Sequence, residues 1–177
     1  MLQGYDKVLR LPYRGAPQTV SVLTRAVLRS QSDLHVRLLA EDIAAGLGSK
    51  DYLSETLGVY YFLLGNTRYM RDPRTVELVK SPQLLVAELG AGKTPRIDCD
   101  EYAAFGAALL LAMGNETRIV TVAFHHVFHN GHRQYSHVFA QAVEPRTRAV
   151  VTLDPVAAEN TRQMLRRVKA AKIWPVA

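Results

Sequence analysis

The chain has 177 residues and a single cysteine, Cys99, so no intramolecular disulfide can form and a disulfide-built miniprotein is excluded. A reducing, cytoplasmic compartment is the easier home for such a chain. Long apolar runs are also lacking: no stretch approaches the length of a membrane span, and the opening MLQGYDKVLRLPYRG has no apolar centre of the kind a cleaved signal needs. Neither a membrane nor secretion by a cleaved signal is expected. Ser/Pro-rich linkers, low-complexity blocks and internal repeats are missing too, which leaves no place to divide residues 1–177 into two domains. Disorder is a poor fit, because 48% hydrophobic and 21% charged residues are ordinary values for a packed globular chain.

Charge of one sign is in modest excess. Lys plus Arg number 22 against 16 Asp plus Glu, giving +6, but the basic residues are scattered from Lys7 to Lys172 with no aromatic interleaving, so no specific nucleic-acid partner is expected. The densest basic run, TRQMLRRVKAAKIW at 161–174, reads as an amphipathic terminal helix with Arg166, Arg167, Lys169 and Lys172 toward water.

Apolar residues at three- and four-residue spacing predict helices over 19–30, 33–46 and 52–65, the first of which could equally start as a strand. Ser32 or Asp33 can cap the second, and Gly46 or Gly48 can end it. After Asp72-Pro73 a short helix (RTVELVKS) and a loop around Ser81-Pro82 and Gly90–Pro95 are expected. Within that loop GAGKT lacks the leading GxxxxG of a phosphate-binding loop, so nucleotide binding is not expected. The segment DCDE (98–101), followed by YAAFGAALLLAM and Gly114, supplies a cap, a body and a stop for one helix. Its body is apolar on nearly every side, which belongs in the middle of a domain, and its first turn would hold Cys99 at the wall of a cleft.

From Arg118 the period changes to two, predicting a strand, a tight turn at Asn130-Gly131 and a return strand from Arg133 to Glu144. A two-residue turn would set Phe124 opposite His137 on a face shared with Val122, Phe128, Tyr135 and Phe139, the face expected to press on the Cys99 helix. A third strand, AVVTLD, turning at Pro145-Arg146, would put Asp154 directly opposite His137. These registers bring together a thiol at a helix N-terminus, an imidazole and a carboxylate: a nucleophile, a base and an orienter. The helix dipole and an adjacent imidazolium favour the thiolate, while Asp98 and Asp100 oppose it. The Cys99 backbone N–H is a natural oxyanion donor. His125, His126, His129 and His132 suggest a metal, but along a strand His125 and His129 stand about 13 Å apart, so a histidine-rich surface hairpin is expected and no metal.

The run RYMRDP (68–73), then DCDEYAAFGAALLLAMG (98–114), YSHVFAQAV (135–143) and TLDP (152–155) resembles the transglutaminase-like superfamily, relatives of papain-type cysteine proteases. The resemblance covers roughly 30–156 and leaves 157–177 as a C-terminal helix and tail. It departs at Ile97, where the family's block has Gly. It implies an α+β fold with N-terminal helices and a central buried helix on an antiparallel sheet, and a catalytic triad of Cys99, His137 and Asp154. An upstream aromatic or amide side chain completes the oxyanion hole in such enzymes, which points to Tyr69 or Gln83. The expected activity is that of a thiol peptidase or amidase acting on a protein or peptide without a cofactor. The alternatives are transglutaminase-type amine transfer, or a non-catalytic interaction module of a phage-like, virion-associated assembly.

Overall fold

The structure is a computed structural model that describes residues 9–12, 16–48, 50–72, 76–129, 132–154 and 161–176. A short strand, β1 (Leu9–Pro12), precedes three helices, α1 (Ala16–Ser30), α2 (Leu34–Ala44) and α3 (Tyr52–Asn66). Two of the helices start where a carboxylate meets free backbone N–H groups: Asp33 accepts from His35 and Val36, and Asp51 accepts from Ser54. The segment that follows departs from expectation. After β2 (Arg68–Tyr69), residues 76–79 form β3 (Val76–Val79), antiparallel to β1, where a helix was expected. The loop expected around Ser81-Pro82 and Gly90–Pro95 is interrupted by helix α4 (Pro82–Gly90). The first difference has a distant cause and the second a local one. Val76 and Val79 are β-branched, and a partner strand was available outside the sequence window. Ser81 accepts from the Leu84 N–H while Pro82 sits at N1, where its fixed φ suits a helix and its missing N–H costs nothing.

Strand β4 (Arg96–Ile97) pairs in parallel with β2 and delivers the chain to α5 (Cys99–Ala112). Every residue of α5 from Asp100 to Leu110 is buried, so the helix is enclosed by α1, α2, α3, α4 and the sheet. Gly114 ends it at φ +87°, a conformation that costs a residue with a Cβ. A four-stranded antiparallel sheet follows, in the order β10-β5-β8-β9, built from β5 (Glu116–Ala123), β8 (His137–Val143), β9 (Val150–Leu153) and β10 (Ala170–Pro175). Between β5 and β8 a small arm pairs β6 (Phe128–His129) with β7 (His132–Arg133); the Asn130-Gly131 turn expected at its tip lies outside the described residues. The protein is therefore α+β, with α5 and the helices around it on one face of an antiparallel sheet.

Three further expectations are corrected. The C-terminal helix is only α6 (Thr161–Arg166); residues 170–175 form β10, which supplies partners for the outer edge of β5 and lets the Trp174 indole N–H donate to Thr121 Oγ1 at 3.0 Å. Both registers around β8 slip by two residues: His137 faces Val122, not Phe124, and the position across from Asp154 follows from Ala140 facing Leu153, which places Phe139 there. The chain splays after Ala123 before the arm forms, and the β8–β9 turn is longer than two residues, with Arg148 at φ +59°. A slip of two keeps parity, so His137 still shares a face with Val122 and Phe139. That face does not press on α5. Helix α5 packs on Ile119, Val138, Ala140 and Leu153, whereas Val120, Val122 and Phe139 form a second, smaller cluster with Phe124, Met164 and Val168.

Removing a ring from the centre of this arrangement is the sharpest test of it. Phe105 is fully buried on α5, and Phe105→Ala is expected to cost about 3–5 kcal/mol in urea unfolding, against less than about 0.5 kcal/mol for Ile173→Ala on the exposed β10 surface.

Candidate active site

The N-terminus of α5 is fixed by a reciprocal cap. Asp98 Oδ1 accepts from the Asp100 N–H at 2.9 Å, and Glu101 Oε2 accepts from the Asp98 N–H at 2.8 Å. Glu101 Oε1 also accepts from the Lys80 N–H at 3.0 Å, so one carboxylate ties the start of α5 to the end of β3. Its isolation from water pushes the Glu101 carboxyl up to about 7; the Asp98 and Lys80 N–H groups pull it back down, and the charges of Asp98 and Asp72 add to the rise.

Cys99 occupies the first position of α5, where its own N–H has no intrahelical carbonyl. The thiol stands at the wall of a cleft of about 270 Å³. Three elements build that cleft: α1 contributes Thr19, Val20 and Leu23, the start of α5 contributes Asp98, Cys99 and Asp100, and the sheet contributes Thr121 with residues 135–138. Because β8 starts beside the α5 N-terminus, His137 lines the same cleft as Cys99 although its strand parity puts it on the face away from α5. The imidazole is held from the other side: His137 Nε2 lies 2.7 Å from Asp154 Oδ2, a carboxylate only 1% exposed. The expected direct pairing of these two residues across the ladder is thus replaced by a diagonal one, one step past the end of β9, with the same outcome for the side chains. Nδ1 is the ring nitrogen that this bond leaves for other work.

The thiol is pushed well above its ordinary value. Burial is the main cause, the carboxylates of Asp100 and Asp98 add to it, and the Val138 backbone N–H, which donates to the sulfur, pulls the other way. Cys99 S–H donates to Asp100 Oδ1 at 3.7 Å, a contact that belongs to the neutral form. Among the described residues, Asp98, Cys99 and Asp100 bring their donor atoms within 4.8 Å of one another and could touch a metal ion, with Asp98 engaged in the cap. Of the histidines first considered for a metal, His125 and His126 are exposed and His129 pairs with His132 in the arm.

Tyr69 lies on β2 beside Ile97, two residues before the thiol. Its phenol is raised by burial, lowered by a hydrogen bond with Arg71 and raised again by the charges of Cys99 and Asp98, which marks it as a near neighbour of the site. Gln83 is elsewhere: its Oε1 accepts from Ser30 Oγ at 2.7 Å, joining α4 to α1. Sequence reasoning missed the α1 wall and the Val138 N–H. The first was visible as the apolar spacing Val20, Leu23, Val27, but nothing in that spacing says which of the surfaces of α5 it meets.

Two outcomes follow from these charges. Asp100→Asn is expected to lower the pH at which iodoacetamide alkylates Cys99, the protein's single thiol, as followed by intact mass. The raised Glu101 carboxyl binds its proton more tightly in the folded chain than in the unfolded one, so its contribution to stability is full below its ordinary 4.5 and is lost as pH rises through about 7. Urea unfolding at pH 5, 6, 7 and 8 checks this: Glu101→Gln is expected to remove that decline, by up to one bound proton.

No family model matches the chain, and no curated protein matches it significantly. Among solved structures it is similar to a putative protease from Parabacteroides distasonis, at 12% identity and a TM-score of 0.54, over 78% of this chain and 27% of that one. A putative cysteine protease from Cytophaga hutchinsonii matches at 15% identity and a TM-score of 0.42, over 79% of this chain and 46% of that one. The chain thus spans less than half the length of either neighbour, and what it shares with the Parabacteroides protein is the fold.

Proposed function

We propose that this protein is a cysteine-dependent hydrolase of amide bonds, a thiol peptidase or amidase that works through a thioester, with Cys99 as nucleophile, His137 as base and acid, and Asp154 as orienter. The observation that carries the reading is the 2.7 Å His137–Asp154 bond in the wall of the cleft that holds the thiol of a buried helix's first residue. The Parabacteroides neighbour, a putative protease, points the same way.

The raised thiol sets the order of events. Cys99 starts neutral, so the proton passes from sulfur to His137 Nδ1 as the sulfur bonds to the carbonyl carbon, and Asp154 at Nε2 steadies the imidazolium that forms. The carbonyl oxygen, now negative, is met by the Cys99 N–H and the Tyr69 hydroxyl, while Gln83, committed to Ser30, takes no part. The tetrahedral species collapses, the C–N bond breaks, and the departing amine takes the proton from His137. Water then adds to the thioester with His137 again accepting a proton, releasing the acid and restoring the thiol. A cleft of about 270 Å³ has room for one acyl chain, which favours water over a second protein substrate at this step.

An active ester tests the scheme before any natural substrate is known. Mixing with p-nitrophenyl acetate is expected to give a burst of one p-nitrophenolate per chain and an acetyl group on Cys99. Cys99→Ala should show neither, and His137→Ala and Asp154→Ala should slow the burst about a hundredfold. An undiminished burst in Cys99→Ala would falsify the mechanism and favour a non-catalytic module. Conversion of the acetyl-enzyme to an amide by added amines, in preference to water, would instead establish transfer.

A further inference from the structure

The second cluster of the sheet lies behind the imidazole. Phe124 is stacked on His137, with ring centroids 6.3 Å apart and planes 23° apart, and Phe139 lies 6.0 Å from it, tilted by 48°. Arg167 in turn stands over Phe124, its Cζ 5.8 Å from the ring centroid, within the reach of a cation–π contact. The backbone delivers it there: the Lys169 N–H donates to the Ala123 carbonyl at 2.8 Å, and β10 begins to pair with β5 at Ala170 and Ala123, one residue before Phe124. Met164 and Val168 of the same segment complete the cluster.

This matters because one hydrogen bond does not aim an imidazole. The bond to Asp154 fixes Nε2, but the torsion about the Cβ–Cγ bond of histidine is broad, and turning the ring swings Nδ1 toward or away from the cleft. A flat partner stacked on the ring fixes its plane, which is the remaining freedom. We infer that Phe124 is a positioning residue that sets the plane of the His137 imidazole, and that the segment from Thr161 to Pro175 takes part in the site by holding Phe124 through Arg167. The inference rests on His137 serving as the base of the proposed reaction. It gives a role to a C-terminal segment that lies beyond the stretch resembling known enzymes.

The test uses Phe124→Leu, which keeps an apolar side chain but loses the plane, Phe124→Tyr, which keeps the plane, and Arg167→Gln. Three quantities are followed in the intact chain: the p-nitrophenyl acetate burst rate, the nitrogen-15 signals of the His137 ring, and the thermal midpoint. Phe124→Leu is expected to slow the burst about tenfold and to shift and broaden the His137 ring signals, while Phe124→Tyr stays within about twofold of the parent. Arg167→Gln should fall between them in both readouts. A fall in midpoint with unchanged ring signals in Phe124→Leu would reduce Phe124 to a packing residue and overturn the inference, as would equal losses in the Leu and Tyr variants. Unchanged burst and ring signals in Arg167→Gln would overturn the part given to the C-terminal segment. Failure of the underlying reading looks different: His137→Ala would then leave the burst intact, whereas the ring signals of Phe124→Leu would still report whether the plane is held.

Discussion

The buried carboxylate of Glu101 is the constraint on which the rest of the molecule depends. A helix apolar on every side, as α5 is, has no preferred face, and burial alone would let it slide or rotate among its neighbours. Its start must be fixed by polar contacts, and these are few. Glu101 binds the Asp98 and Lys80 N–H groups at once, so it sets where the helix begins and which strand stands beside that point. Burial makes the Glu101 carboxylate hold its charge reluctantly, yet it loses two good acceptor bonds if displaced. Fixing the first turn fixes Cys99, since the thiol follows the cap by one residue.

The sheet carries an imidazole to the wall of the cleft that holds the thiol without placing it in the core. The α5-facing side of β5 and β8 is closed by Ile119, Val138 and Ala140, where a histidine would have to be buried and satisfied. His137 avoids this by being the first residue of β8 and pointing to the other side, where Asp154 satisfies one nitrogen and Phe124 and Phe139 cover the ring. The thiol and the imidazole therefore come from opposite layers and line one cleft at the end of the sheet, and the Val138 N–H, next to His137 on β8, donates to the sulfur.

Much of this was legible in residue order because it is local. The caps at Asp33 and Asp98 and the stop at Gly114 are decided within four residues, and the period of β5 and β8 is unmistakable. What escaped was decided elsewhere in the chain. Residues 76–79 form a strand because β1 lies alongside, and 170–175 form another because β5 has an open edge, although AAKIW contains nothing that forbids a helix. A two-residue turn is the simplest assumption for each hairpin and places both registers two residues short; a slip of two leaves His137 and Asp154 on one face. Tyr69 and Gln83 are equivalent in sequence, and only the pairing of β2 with β4 sets one beside Ile97, near the start of α5, while Ser30 claims the other.

The electrostatics of the site then follow from its architecture. A thiol at a helix N-terminus gains from the dipole, but that gain is limited to the first turn and is modest beside the cost of a charge in a poorly hydrated wall with two carboxylates next to it. Asp98 is needed to cap α5, so at least one of those charges is the consequence of fixing the helix. The arrangement that positions Cys99 thereby keeps it neutral at rest. A neutral sulfur needs a base that is aimed before the substrate arrives, because the proton must leave while the bond to carbon forms. On the proposed mechanism, the reactivity that the helix terminus withholds from the thiol comes from the aim of His137, whose imidazole is tied to Asp154 at Nε2 and backed by Phe124 and Phe139.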